Sequence, residues 1–297
     1  MLNSLKNPLV FLLTAILIFS LFPFATFVAS IPLIENEWGL INTEVGAISG
    51  VYFFGYVLGA IILIPISDKY SAKYTLFFAV CASSFSHIAF SFFAEGILSA
   101  LFLRFISGIA FSAIYVIGQK IIGQNVLPES RGSSIGLYVT GFYAGGGISL
   151  LLAGYLLTFF SWKIVYLLVS LVSLVSVLLA LVFIIKTNLL PTNKGSALLN
   201  LKVLLNKKLF AASFSYAMHA WELYIMRMWF PVFISYLYIR SGLDINSSAA
   251  IASVVVGIIS IIASFTPFVG ASFSDGKNRA RVAIGILITS SIFSILI

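Results

Sequence analysis

Three ionisable residues lie in one apolar run of this chain: His219, Glu222 and Arg227, within His219-Ala-Trp-Glu-Leu-Tyr-Ile-Met-Arg-Met-Trp229. The run extends from about Leu209 to Leu237, enough to cross a bilayer, for which roughly 20 residues at 1.5 Å each suffice. A charge at the centre of such a helix costs about 2.5–3.5 kcal/mol on insertion scales, so it normally faces a bundle interior or a wet cavity. A second run holds Arg104, with Gly108, Phe111 and Tyr115 following at helical spacing on one face. Guanidinium is always charged and grips carboxylates with paired hydrogen bonds, so two arginines at an aqueous cavity suit an anion. His219 and Glu222 are three residues apart and share a helix face. Histidine titrates near neutrality and a desolvated glutamate is raised toward it, so this pair suits proton transfer. Arg227 lies five residues beyond Glu222 and points elsewhere on the helix. The expected substrate-binding residues are therefore Arg104, Tyr115, Glu222 and Arg227, and the expected proton-coupling residues His219 and Glu222. The competing reading is that these groups pair with other buried groups and only fix helix packing. His87 has no charged neighbour in sequence and reads as structural.

The elements that must hold these residues are membrane helices. Apolar residues make up 61% of the chain and charged residues 9%, against about 45–50% and about 25% in a soluble domain. The expected class is all-α and polytopic, with the lipid bilayer as its medium. The net charge of +8 does not point to nucleic acid, because the charges sit in short loops between apolar runs. The single cysteine, Cys81, rules out an internal disulfide. A membrane enzyme is disfavoured: there are two histidines and one cysteine, far apart, and neither a Gly-x-Ser-x-Gly elbow nor a phosphate loop appears. No metal and no cofactor are expected.

Nine hydrophobic segments are predicted, at roughly 8–33, 42–66, 73–94, 97–121, 133–160, 163–186, 209–237, 247–273 and from 281 onward. The first is too long for a signal-peptide core, and its Pro23 and Pro32 mark possible bends. With the N-terminus inside, inner segments carry Lys6, Lys69, Lys73, Arg131, Lys186, the lysines of 194–208, Lys277, Arg279 and Arg281, while outer ones carry Lys163 and Arg240. The asymmetry places the N-terminus in the cytoplasm. The polar stretch between segments six and seven divides the chain into residues 1–186, a six-helix half; 187–208, a cytoplasmic linker; and 209–297, a partial second half. Leucines and lysines between 198 and 208 could lie along the membrane surface.

Two inner loops echo each other: Ser67-Asp68-Lys69-Tyr70-Ser71-Ala72-Lys73 and Ser274-Asp275-Gly276-Lys277-Asn278-Arg279-Ala280-Arg281. Each joins the second and third helix of its half. This pattern resembles the loop signature of the major facilitator superfamily, Gly-x-x-x-Asp-Arg-x-Gly-Arg-Lys. Asp68, Lys69 and Lys73 hold acidic and basic places, Ile64 and Ser71 replace the glycines, and Ala72 replaces a basic residue. The second copy keeps Asp275 and Arg279, with Ala271 and Asn278 at the glycine places. Arg104 to Gly108, Pro128 to Gly132 and Trp162-Lys163-x-x-Tyr166 resemble further family motifs, so the resemblance spans nearly the whole chain. It implies two six-helix halves, a substrate held between them, alternating access, and a cytoplasmic gate latched by Asp68, Lys69, Lys73, Asp275 and Arg279. The fifth segment has Gly141-x-x-x-Gly145-Gly146-Gly147, then Ser149 and Leu150. The family's proton-driven drug exporters carry a proline where Gly146 stands, which counts against that alternative. The seventh segment resembles cyanate-type permeases.

The resemblance implies helices beyond the ninth, inside which the sequence stops. The expectation is a truncated form or one whose missing helices come from a separate chain, and that residues 1–297 alone do not transport. A non-transporting receptor or an inactive relic is the alternative. The expected location is a bacterial cytoplasmic (inner) membrane. The topology is checked by cysteine labelling in a Cys81→Ser background. A membrane-impermeant maleimide should label a cysteine at Glu95 in intact cells and should reach one at Ser130 only after lysis; the opposite pattern would invert the orientation.

Overall fold

The computed structural model describes residues 7–187, 206–274 and 279–296. Among them are eleven helices: α1 (Pro8–Ser20), α2 (Thr26–Trp38), α3 (Asn42–Lys69), α4 (Ala72–Phe93), α5 (Ile97–Asn125), α6 (Pro128–Leu157), α7 (Trp162–Lys186), α8 (Lys207–Arg240), α9 (Ile245–Ala263), α10 (Thr266–Ser274) and α11 (Arg279–Leu296). The chain is an all-α, multi-pass membrane protein. The nine expected segments are present, and the first and the eighth are each interrupted, as α1/α2 and α9/α10. In lipid a backbone can leave the helix only where its freed groups find partners inside the protein.

The first break, over residues 21–25, surrounds Pro23, which lacks an N–H and clashes with the preceding turn. Ser149 of α6 repairs it. Its hydroxyl accepts from the Ala25 N–H at 2.9 Å and donates to the Phe22 carbonyl. The second break, at Ser264 and Phe265, precedes Pro267. There the Ser264 and Thr266 hydroxyls donate to the carbonyls of Ile261 and Ala263. Other ends follow ordinary capping rules. Asn7 accepts from the Leu9 N–H ahead of Pro8, Gly39 closes α2 at φ 64°, and Asp244 accepts from the Ser247 N–H at 2.9 Å. The Ser247 hydroxyl, together with that backbone bond, holds the exposed Asp244 carboxyl below its usual range.

Helix α5 packs on α3 and α4, α7 on α4 and α1, and α6 on α1 and α9; α8 leans on α9 and α2. Missing side chains set the closest approaches. A Cβ on Gly108 of α5 would stand 1.9 Å from the Tyr52 carbonyl oxygen of α3, and one on Gly257 of α9 would stand 2.7 Å from the Leu151 nitrogen of α6. The α6–α9 seam therefore joins the first six segments to the later ones. A core containing Phe27, Phe90, Trp162, Tyr166, Val232 and Val256 continues that joint at the predicted outer end. A second core, with Leu17, Tyr52, Phe111, Tyr138, Phe142 and Phe183, fills the inner part of the first six segments. Among the described residues, α8 is packed most closely in its outer half, where Pro231, Val232 and Ser235 are buried. Helix α7 ends at Lys186 and α8 begins at Lys207; the proposed surface-lying stretch of the linker falls outside the described residues.

Replacing Ser149, which is fully buried, with alanine leaves the Ala25 N–H unpaired and the Phe22 carbonyl with only the long 3.5 Å bond from the Thr26 hydroxyl. Ser149→Ala should cost about 1–3 kcal/mol and lower the thermal midpoint in detergent. An unchanged midpoint would show that the break needs no such bridge.

Candidate functional site

Arg104 sits two turns into α5 and is 3% exposed. The close α3–α5 approach at Gly108 brings Tyr52 against it. The guanidinium carbon lies 4.5 Å from the Tyr52 ring centre and 4.8 Å from that of Phe27 on α2, so two aromatic faces replace part of its hydration. Tyr166 stands within electrostatic reach of the guanidinium, and its hydroxyl meets His87 Nδ1 at 3.2 Å. His87, read as structural, thus belongs to the layer behind Arg104. Arg104 Nε and Nη1 have no hydrogen-bond partner among the described residues.

Arg227 of α8 is half-buried. Its guanidinium carbon is 4.4 Å from the Tyr143 ring and 5.2 Å from the Phe142 ring, both on α6. Gly146 leaves room for it, since a Cβ there would stand 3.4 Å from Arg227 Nη1. Arg104 and Arg227 line one cavity of about 200 Å³, closed by Phe24, Ser49, Phe53, Tyr224 and Ser260 among others. At about 30 Å³ of liquid per water, that is room for a small solute. Its walls come from α3, α5, α6, α8, α9 and the α1–α2 break.

The other expected site residues lie elsewhere. Tyr115 belongs to an aromatic column with Phe111, Tyr138 and Phe142, at ring separations of 6.4, 6.1 and 5.1 Å, and does not line the cavity. Glu222 is exposed and makes no ion pair with Arg227. His219 is also exposed and borders a separate, wide cleft of about 1090 Å³, together with Tyr143, Val139 and Pro267. Sequence reasoning did not find Phe27, Phe142 or the clearance at Gly146. The signal for the glycine was its place in the Gly-rich run of α6.

At the inner end, Asp68 is held by Lys120 of α5 at 2.5 Å, and Lys120 also donates to Ser67 Oγ at 2.9 Å. Lys73 donates to the carbonyls of Ile184 and Thr187 at 3.3 and 3.0 Å, a cation at the C-terminus of α7. Lys69 lies over the Tyr70 ring. The partners shown for Asp68 and Lys73 all lie within the first six segments. Asp275 lies outside the described residues, and Arg279 opens α11.

A model of the Major Facilitator Superfamily matches residues 12–297. The chain belongs to that superfamily. Similar curated proteins include the hexuronate transporter of Bacillus subtilis (strain 168), 26% identical over 276 residues, covering 88% of this chain and 62% of that protein. The uncharacterized transporter YybO of the same organism is 22% identical, over 82% of this chain and 60% of its own. The benzoate transport protein of Acinetobacter baylyi (strain ATCC 33305 / BD413 / ADP1) is 24% identical over 53% of this chain and 34% of its own. Among solved structures, a bacterial homologue of the human lysosomal transporter Spinster, inward-facing and unoccupied, superposes with a TM-score of 0.65. It is 19% identical, over 91% of this chain and 64% of that one. The chain thus spans less than two thirds of the length of the hexuronate transporter and of the Spinster homologue. None of these names is a cyanate carrier.

The facilitator's Asp68–Lys120 pair is partly shielded, with side chains 32% and 16% exposed. Asp68→Asn and Lys120→Met should each lower the thermal midpoint. The double variant should lose less than the sum, with a coupling of about 1 kcal/mol or less, as for a half-exposed pair. Strict additivity in the double-mutant cycle would show that the contact contributes nothing.

Proposed function

We propose that this facilitator carries a small organic anion, a carboxylate, by alternating access between its two halves. The observation that carries the reading is the shared cavity: Arg104 from the first six segments and Arg227 from α8 line the same 200 Å³ space, and Arg104 keeps two buried nitrogens without a partner among the described residues. A buried N–H left unmade is costly, and a carboxylate bound there supplies the missing acceptors in the geometry guanidinium prefers. Because the two cations come from different parts of the bundle, an anion between them would draw those parts together. The names of two relatives fit this chemistry, since hexuronate and benzoate are both carboxylates. We further propose that His219 and Glu222 couple the movement to protons. Both are exposed on α8, His219 at the border of the wide cleft, where they can exchange protons with water before the anion site closes.

Binding is testable on this chain without transport. Glucuronate or benzoate should raise the thermal midpoint of the purified protein, whereas glucose should not. Arg104→Lys and Arg227→Lys should each weaken the carboxylate effect at least ten-fold, which is about 1.4 kcal/mol. Stabilisation by glucose as large as by glucuronate, or unchanged carboxylate binding in both variants, would overturn the anion reading. For proton coupling, His219→Ala and Glu222→Gln should remove the pH dependence of carboxylate affinity between pH 5 and 8, the window in which histidine titrates. A pH profile unchanged in both would remove these residues from the coupling.

A further inference from the structure

A groove that the anion site does not use runs along the surface of the bundle at the predicted cytoplasmic end of α4. It has a volume of about 740 Å³ and lies between α3, α4 and α5, with apolar walls that include Leu63, Phe78, Ala82 and Ile106. Along α4 it reaches from Ser71 to Ala82, about 16 Å at the helical rise. That is close to half of the roughly 30 Å hydrocarbon core, the depth of one leaflet.

The mouth differs from the walls. Lys69 and Lys73 both border it. Lys73 is fixed there by the carbonyls of Ile184 and Thr187, while Lys69 is exposed. Tyr70 and Tyr74 are 62% and 49% exposed beside them, as amphipathic rings are at headgroup level. Ser71 also borders the mouth. It is 7% exposed, precedes the first turn of α4 without capping it, and its hydroxyl has no hydrogen-bond partner among the described residues. The first turn of the 22-residue helix α4 contains no acidic residue, and its leading N–H groups favour an anion.

We propose that this groove binds one anionic phospholipid of the cytoplasmic leaflet. Its phosphodiester rests on Lys69, Ser71 and the start of α4, and one acyl chain lies between α3, α4 and α5. A zwitterionic lipid offers the lysines no net charge, and an apolar helix of a second copy offers Ser71 no acceptor. Basic pockets between helices on the cytoplasmic side suit anionic headgroups. Lys120 holds Asp68, the residue before Lys69, so Lys120 and the lipid engage adjacent residues at the end of α3.

Native mass spectrometry of the full chain in detergent tests this with dioleoyl phosphatidylglycerol against dioleoyl phosphatidylcholine. The expected result is at least five-fold greater retention of the glycerol lipid. Lys69→Gln combined with Ser71→Ala should reduce it to the choline-lipid level, and so should Ala82→Trp, which fills the groove and leaves the mouth intact. Equal retention of the two lipids by the unaltered protein would overturn the proposal, as would retention that survives both variants. Displacement of the lipid by an equal concentration of glycerol 3-phosphate would show an anion site without an acyl chain. Dimerisation that Ala82→Trp abolishes and lipid does not affect would give the groove to a second copy.

Discussion

A guanidinium in hydrocarbon has to be enclosed, and the arrangement of the first six segments follows from how Arg104 is enclosed. Its cost in lipid is several times the thermal energy. Two aromatic faces, Tyr52 and Phe27, take the place of water above and below it. They reach it only because α3 lies against α5 at Gly108, where any side chain would collide with the Tyr52 backbone. The glycine, the tyrosine and the arginine are thus one device. Behind them, Tyr166 and His87 form a polar layer joining α7 to α4. Arg104 also lines the small cavity shared with α8.

Arg227 is placed by the same logic. Its rings, Tyr143 and Phe142, stand on α6, and the missing side chain of Gly146 gives it clearance. Helix α6 therefore carries three duties on different faces. Ser149 bridges the α1–α2 break, Gly146 admits Arg227, and the glycines toward both ends receive α9 and α10. A helix so constrained on all sides has few positions free for large side chains, which accounts for its run of glycines and serine between Gly141 and Ser149.

Much of this was legible in the sequence. Segment limits were readable because a lipid span needs an unbroken apolar run, and the breaks at Lys69, Gly96 and Lys186 are abrupt. Arg104 and Arg227 were readable because a charge in such a run is an anomaly. What was not legible depends on three-dimensional proximity. The partner of Asp68 is Lys120, fifty-two residues away, and nothing in the spacing of either residue points to the other. The breaks at Pro23 and before Pro267 could not be told from tolerated prolines. Pro32, Pro65 and Pro231 stay inside continuous helices. Tyr115 fitted the face of Arg104 by helical spacing, yet it lies far enough along α5 to stack in the aromatic column beneath the cavity.

Glu222 shows how a helix-face argument and a cavity argument diverge. It lies five residues before Arg227, so the two side chains point along different directions of α8. The direction taken by Arg227 is covered by α6, and that taken by Glu222 is not covered among the described residues. Arg227 is stacked on Tyr143, whereas Glu222 is exposed. The same helix thus presents one charge toward the cavity and another away from it. A carboxylate substrate requires the first. Any coupling through Glu222 requires a rotation or closure that brings the second face into contact.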